Sequence, residues 1–152
     1  MILRTILSVF ILAVTLQSIS CKSGGSDPVP ETEVQRVTKL LVGDATSGTQ
    51  WNILSVKVDD IDYTEVFTGF TLTFSENGFT STNGTIVFND TDTWSFKDDT
   101  AKVITTSNVD ITIDEITEAS LIFSFIWEGT VYGEGGRKSA VGGENVFTMT
   151  RN

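Results

Sequence analysis

Chemistry needs particular side chains at workable spacing, and this chain offers few. It has no His and a single Cys, Cys21. Without His there is neither a Ser-His-Asp nor a Cys-His nucleophilic set, and no imidazole-ligated metal. One Cys leaves no internal disulfide, no thiolate zinc site and no cysteine-ligated iron–sulfur cluster. Two carboxylate clusters, Asp59-Asp60-Ile61-Asp62 and Asp90-Thr91-Asp92, have oxygens spaced for calcium. Neither completes a known loop, and both read as solvated turns. A glycosidase pair would need one acid in an apolar pocket, whereas the acids here fall at turns or outward strand positions. The sequence therefore predicts a protein without enzymatic activity, metal or cofactor. Its 152 residues carry 20 acidic and 10 basic side chains, a net charge of −10. That balance repels phosphate backbones, so nucleic acid is not an expected partner.

What remains is the thiol and its position. Residues 1–20 open with Arg4 and continue through an apolar run, Ile6–Leu16. The run is too short for a comfortable membrane helix and fits a secretory leader. It ends in Ser18-Ile19-Ser20-Cys21, which resembles a bacterial lipobox. The resemblance implies a diacylated Cys21 as the new N-terminus, a membrane partner through acyl groups, and a place in the cell envelope at the outer membrane. Ordinary secretory cleavage that leaves a Cys is the other reading. Removing residues 1–20 takes away Arg4 and no acid, leaving 9 basic and 20 acidic side chains and a charge of −11. Residues 21–31, with Lys22-Ser23-Gly24-Gly25-Ser26, read as a lipidated flexible tether. An acidic domain of one chain, expected to be monomeric, should stand off anionic lipid.

Past Pro28 and Pro30, residues 32–152 form one domain of ordinary size. Thr32 and Gln35 fit a capping box, Val34, Val37 and Leu41 recur at helical spacing, and Gly43 is a stop. A short helix over 32–42 follows. The texture then turns to alternating Thr, Val, Ile and Phe, which reads as strands. Eight are predicted: Trp51–Val58, Phe67–Ser75, Phe79–Phe88 with a bulge at Asn83-Gly84, one around Trp94 and Phe96, Lys102–Thr106, one through Val109, Ile111 and Ile113, Leu121–Trp127, and Asn145–Thr150. Asn77-Gly78 is a hairpin signal.

The Gly/Ser tether, the Trp opening the first strand, Phe70-Thr71-Leu72-Thr73-Phe74, Thr93-Trp94-Ser95-Phe96 and a closing Phe147-Thr148-Met149-Thr150 together resemble bacterial lipocalin-like lipoproteins. The implied fold is all-β: an eight-stranded antiparallel up-and-down β-barrel preceded by one short N-terminal helix. Such a barrel holds its own side chains or one small ligand.

Meander parity gives the barrel two unlike ends. The long connections around 59–66 and 128–144 share one end, where Ile61, Tyr63, Tyr132, Arg137 and Lys138 could form a lid over a small hydrophobic ligand. Solvated loops are the plainer use of these residues. Phe70, Leu72, Phe74, Trp94, Phe96, Phe123 and Phe125 line either a pocket or a filled core. At the other, tightly turned end, closure would bring Trp51 beside Arg151; an Arg151 that simply points into water is the plainer reading. The resemblance implies the Trp51–Arg151 contact, since lipocalins stack a basic side chain across the first-strand Trp. Two functions stay open: a tethered module that binds an apolar or amphipathic ligand, and an envelope interaction protein with a filled barrel.

Overall fold

Helix formation begins at the cap. Thr32 Oγ1 accepts from Gln35 N (3.2 Å), and Gln35 Oε1 accepts from Thr32 N (2.9 Å), so two orphan donors are satisfied reciprocally. In the computed structural model, α1 runs Glu33–Val42 and buries Val37, Leu41 and Val42. Gly43, at φ 70°, ends it. A Cβ there would collide with Arg151 Nη2 and Thr49 Oγ1, so the stop also permits a close approach. The model describes residues 29–44, 47–84, 87–129, 131–132, 138–140 and 142–151. The chain divides into two compact units, Met1–Pro30 and Glu31–Asn152, and every element named here belongs to the second. The leader and Cys21 lie outside the described residues.

The strands are β1 (Thr49–Val58), β2 (Ile61–Asp62), β3 (Thr71–Ser75), β4 (Gly78–Thr82), β5 (Thr91–Asp92), β6 (Ser95–Phe96), β7 (Val103–Thr105), β8 (Asp110–Ile116), β9 (Ser120–Trp127), β10 (Val131–Tyr132), β11 (Lys138–Ala140) and β12 (Gly143–Arg151), with a 3-10 turn at Thr64–Phe67. One antiparallel sheet takes the order β5-β4-β3-β1-β12-β9-β8-β7-β6, with β2 on β1; β10 and β11 pair separately. The sheet curls strongly. The first strand lies beside the last, with Trp51 opposite Arg151 and Val58 opposite Asn145.

The eight-stranded barrel does not close. The strand expected around Trp94 is split: β5 pairs with β4 at one edge and β6 with β7 at the other. Trp94, between them, explains the break. Its Nε1 donates to Ser75 O (2.9 Å) and Gly78 O (3.2 Å), and its ring meets Phe74 and Phe96 at 5.9 and 5.2 Å. The indole draws the chain over the β3–β4 turn, leaving no straight run on which one ladder could form.

Three local expectations also change. The β3–β4 loop is Glu76-Asn77, because Ser75 pairs with Gly78. A second two-residue hairpin turns at Asp59-Asp60, between Val58 and Ile61, with φ of 47° and 65°. Two positive φ values are what a type I′ turn demands, and Asp tolerates them. The third strand stops at Thr82, where Asn83 takes φ 55°. The chain then turns, Phe88 N donating to Gly84 O, and drives the Phe88 ring inward.

Phe88 is 1% exposed and its ring lies 5.3, 6.2, 6.0, 5.7 and 5.9 Å from those of Phe70, Phe79, Phe123, Phe125 and Phe147. Phe123 and Phe147 stack at 5.1 Å across the β9–β12 ladder. Burying each such ring contributes about 1.5–3 kcal/mol, and edge or offset pairs add roughly 0.5–1.5 kcal/mol.

Candidate functional site

The two ends of the curled sheet were singled out by sequence, and the structure furnishes them differently. At the α1 end, β1 delivers Thr49 and Trp51 to the last carbonyls of the helix, which have no intrahelical partner. Trp51 Nε1 donates to Leu41 O (3.1 Å) and Thr49 Oγ1 to Val42 O (2.6 Å). Arg151 then donates from Nη2 to Thr49 Oγ1 (3.0 Å), and its Cζ lies 6.0 Å from the Trp51 ring centroid. Trp51 is wholly buried and Arg151 half-buried. The pair is a cation–π contact resting on a helix terminus.

Alongside it lies a cleft of about 520 Å³, lined by Glu31, Arg36, Lys39, Leu40, Gly43, Asp44, Glu118 and Arg151. Sequence reasoning found Trp51 and Arg151 but not this cleft, whose charges come from three separate segments with no shared motif.

At the opposite end, Asp59 ties the β1–β2 turn to the start of β12. Its N–H donates to Glu144 O, and its Oδ1 accepts from Glu144 N, both at 2.9 Å. Gly143 (φ 132°) leaves room for the Asp59 carboxylate, which a Cβ would strike. Ile61 and Val66 are exposed and Tyr63 half-buried. Tyr132 pairs with Lys138 in the β10–β11 ladder; Arg137, the remaining lid residue, lies outside the described residues. Val58, Phe125 and Asn145 are buried here. Trp127 Nε1 is buried and has no hydrogen-bond partner among the described residues.

Of the residues predicted to line a pocket or core, Phe70, Leu72, Phe74, Phe123 and Phe125 are buried, and Trp94 and Phe96 pack against them half-buried. The sequence reading missed Phe67, Phe79, Phe88 and Phe147, which complete the ring cluster. Their inward phase in β4 and β12 was available from alternation for Phe79 and Phe147. For Phe88 it was not, because its inward turn depends on the bend at Asn83.

A third polar cluster ties the β5 edge to the turn between β7 and β8. Asp92 accepts from Ser107 Oγ (2.6 Å), Ser107 N (3.3 Å), Asn89 Nδ2 (3.1 Å) and Thr93 N (2.7 Å). The Ser107 hydroxyl foremost, with the backbone N–H groups and Asn89, holds this carboxyl below the usual carboxylate range. Asn108 Nδ2 donates to Val87 O across the same gap (3.2 Å).

Among the described residues no group of three or more His, Cys, Asp or Glu could hold a metal, and no helix is long and apolar enough to cross a membrane. Set against family models, curated proteins and solved structures, the chain matches none, and its reading rests on its own geometry.

Proposed function

We propose that the chain is a membrane-tethered lipoprotein of the cell envelope, held at the outer membrane through acylated Cys21. Its curled, lipocalin-like β domain works without catalysis, as a recognition module with a filled interior. One observation carries the choice of a filled interior over a hollow one. Phe88 stands within 5.3–6.2 Å of five other rings, taking the space in which an apolar ligand would sit. Recognition then belongs to the outer surface and the ends. The tether is supported by the leader pattern of residues 1–20 and by the one Cys at its boundary.

A second reading, a small apolar ligand at the Asp59 end, is favoured by the buried Trp127 Nε1, which has no partner among the described residues. Such a donor costs roughly 1–3 kcal/mol unless an acceptor arrives.

One preparation tests both. Full-length protein expressed in a bacterium should carry acyl mass and partition with membranes, and Cys21→Ala should do neither. A Cys21→Ala variant that stays with membranes and lacks acyl mass would remove the tether. Titration with a fluorescent long-chain fatty acid should give no saturable signal. Saturable binding that Trp127→Phe abolishes would replace the filled-interior reading with the second.

A further inference from the structure

We propose that the cleft between α1 and the end of β12 binds a small zwitterion carrying an oxyanion and an ammonium group, of the phosphoethanolamine class. This end of the sheet is remote from the Asp59 end, and the proposal stands whether or not Cys21 is acylated.

Arg151 is the anchor. Its guanidinium is fixed by neutral partners: the Trp51 ring at 6.0 Å, Thr49 Oγ1 at 3.0 Å, and the Cα of Gly43, where any side chain would collide with it. Thr49 is itself held by Val42 O. Of the five N–H groups a guanidinium offers, one meets Thr49. Among the described residues the side chain makes no other hydrogen bond and no ion pair. A guanidinium positioned this firmly, and in no ion pair among the described residues, is pre-organised for an incoming oxyanion.

The rest of the lining points to the second charge. Arg36, Lys39 and Arg151 face Glu31, Asp44 and Glu118 around one cleft. Among the described residues, the ion pairs are Arg36–Glu33 and Lys97–Asp110. Glu33 does not line the cleft, so Lys39 and Arg151 on one side and Glu31, Asp44 and Glu118 on the other remain mutually unpaired. A lone anion would gain two cations and meet three carboxylates. A lone cation would meet the reverse. A molecule bearing both charges meets each with its opposite, its oxyanion on Lys39 and Arg151 and its ammonium on the carboxylates, which outnumber those two cations by one. The volume of about 520 Å³ lies within the range of small-molecule sites. The lining is exposed apart from Arg151, Leu40 and Gly43, so the contacts are salt-screened and binding should be of about millimolar strength.

The probe is O-phosphoethanolamine, titrated into the full chain and followed by amide NMR shifts. Saturable shifts are expected at Gly43, Asp44 and Arg151. Inorganic phosphate and ethanolamine should each bind about tenfold more weakly, having lost one set of charge-assisted contacts. Lys39→Gln and Glu118→Gln, both at exposed positions, should keep the fold and each weaken phosphoethanolamine several-fold; Arg151→Gln should abolish its binding. Sedimentation of the Cys21→Ala chain with phosphatidylethanolamine vesicles, against phosphatidylcholine vesicles, identifies the source. Preferential association assigns a lipid headgroup, and its absence beside binding of the free compound assigns a soluble zwitterion. Absence of saturable shifts, equal binding of phosphate alone, or wild-type affinity in both Lys39→Gln and Glu118→Gln overturns the proposal.

Discussion

Two junctions hold the curled sheet, and they are built from opposite materials. At the α1 end, Trp51, Leu41, Thr49 and Arg151 join helix, first strand and last strand in a buried knot. At the seam beside β5, Asp92 and Asn89 meet Ser107 and Asn108 of the β7–β8 turn through hydrogen bonds in reach of water. The first junction removes a whole indole from solvent. The second exchanges bonds to water for bonds to protein, which yields little net stability. Proximity in the fold is therefore a poor guide to energetic weight: the buried junction should dominate, and the seam should tune.

The largest expected effect tests that ordering directly. Trp51→Ala should cost about 3–5 kcal/mol in urea unfolding, since it leaves a cavity and strands the Leu41 carbonyl. A loss no greater than that from Asp92→Asn would break the comparison. Arg151→Ala comes next, at about 1–2 kcal/mol, from the lost contact with the Trp51 ring. In a Trp51→Ala background the same change should cost clearly less, because the partner is gone.

Smallest is Asp92→Asn, at less than about 1 kcal/mol for a half-buried site still in reach of water and salt. Its pH dependence gives the sharper reading. The folded-state carboxyl titrates below its ordinary value, so between the two values the unfolded chain binds more protons. The contribution of Asp92 is therefore full at neutral pH and is lost as pH falls through the acid side of the usual carboxylate range. Urea midpoints for wild type and Asp92→Asn should differ at pH 7 and converge near the bottom of that range. A constant difference would show that the seam does not depend on the carboxylate charge.

How much of this could be read from sequence follows from how local each determinant is. The capping box at Thr32 and Gln35 acts over three residues, and α1 starts at Glu33, beside the predicted start. Alternation in Leu121–Trp127 acts along one strand, and β9 spans Ser120–Trp127. The pairing of Trp51 with Arg151 followed from counting strands, although the closed barrel used to argue it does not form. That expectation failed at Trp94, whose indole bonds to carbonyls 16 and 19 positions away. The Asp59-Asp60 turn was hidden because Asp-Asp lacks the glycine that usually announces type I′ geometry. The charged cleft was invisible for the plainest reason: Glu31 and Lys39 of the α1 segment meet Glu118 and Arg151 only after three segments have packed.

The ladder between β1 and β12 also constrains time. Trp51 and Arg151 are separated by 100 positions, so this pairing closes nearly the whole domain in one step. Loop-closure entropy must be met before the contact returns anything, and topologies rich in such contacts fold in milliseconds to seconds rather than microseconds. Until β12 arrives, β1 has β2 and β3 as neighbours and an open edge where its central ladder belongs. The nascent domain therefore cannot complete its sheet until Gly143–Arg151 is available, and up to that point the rest of the domain waits with its central ladder open.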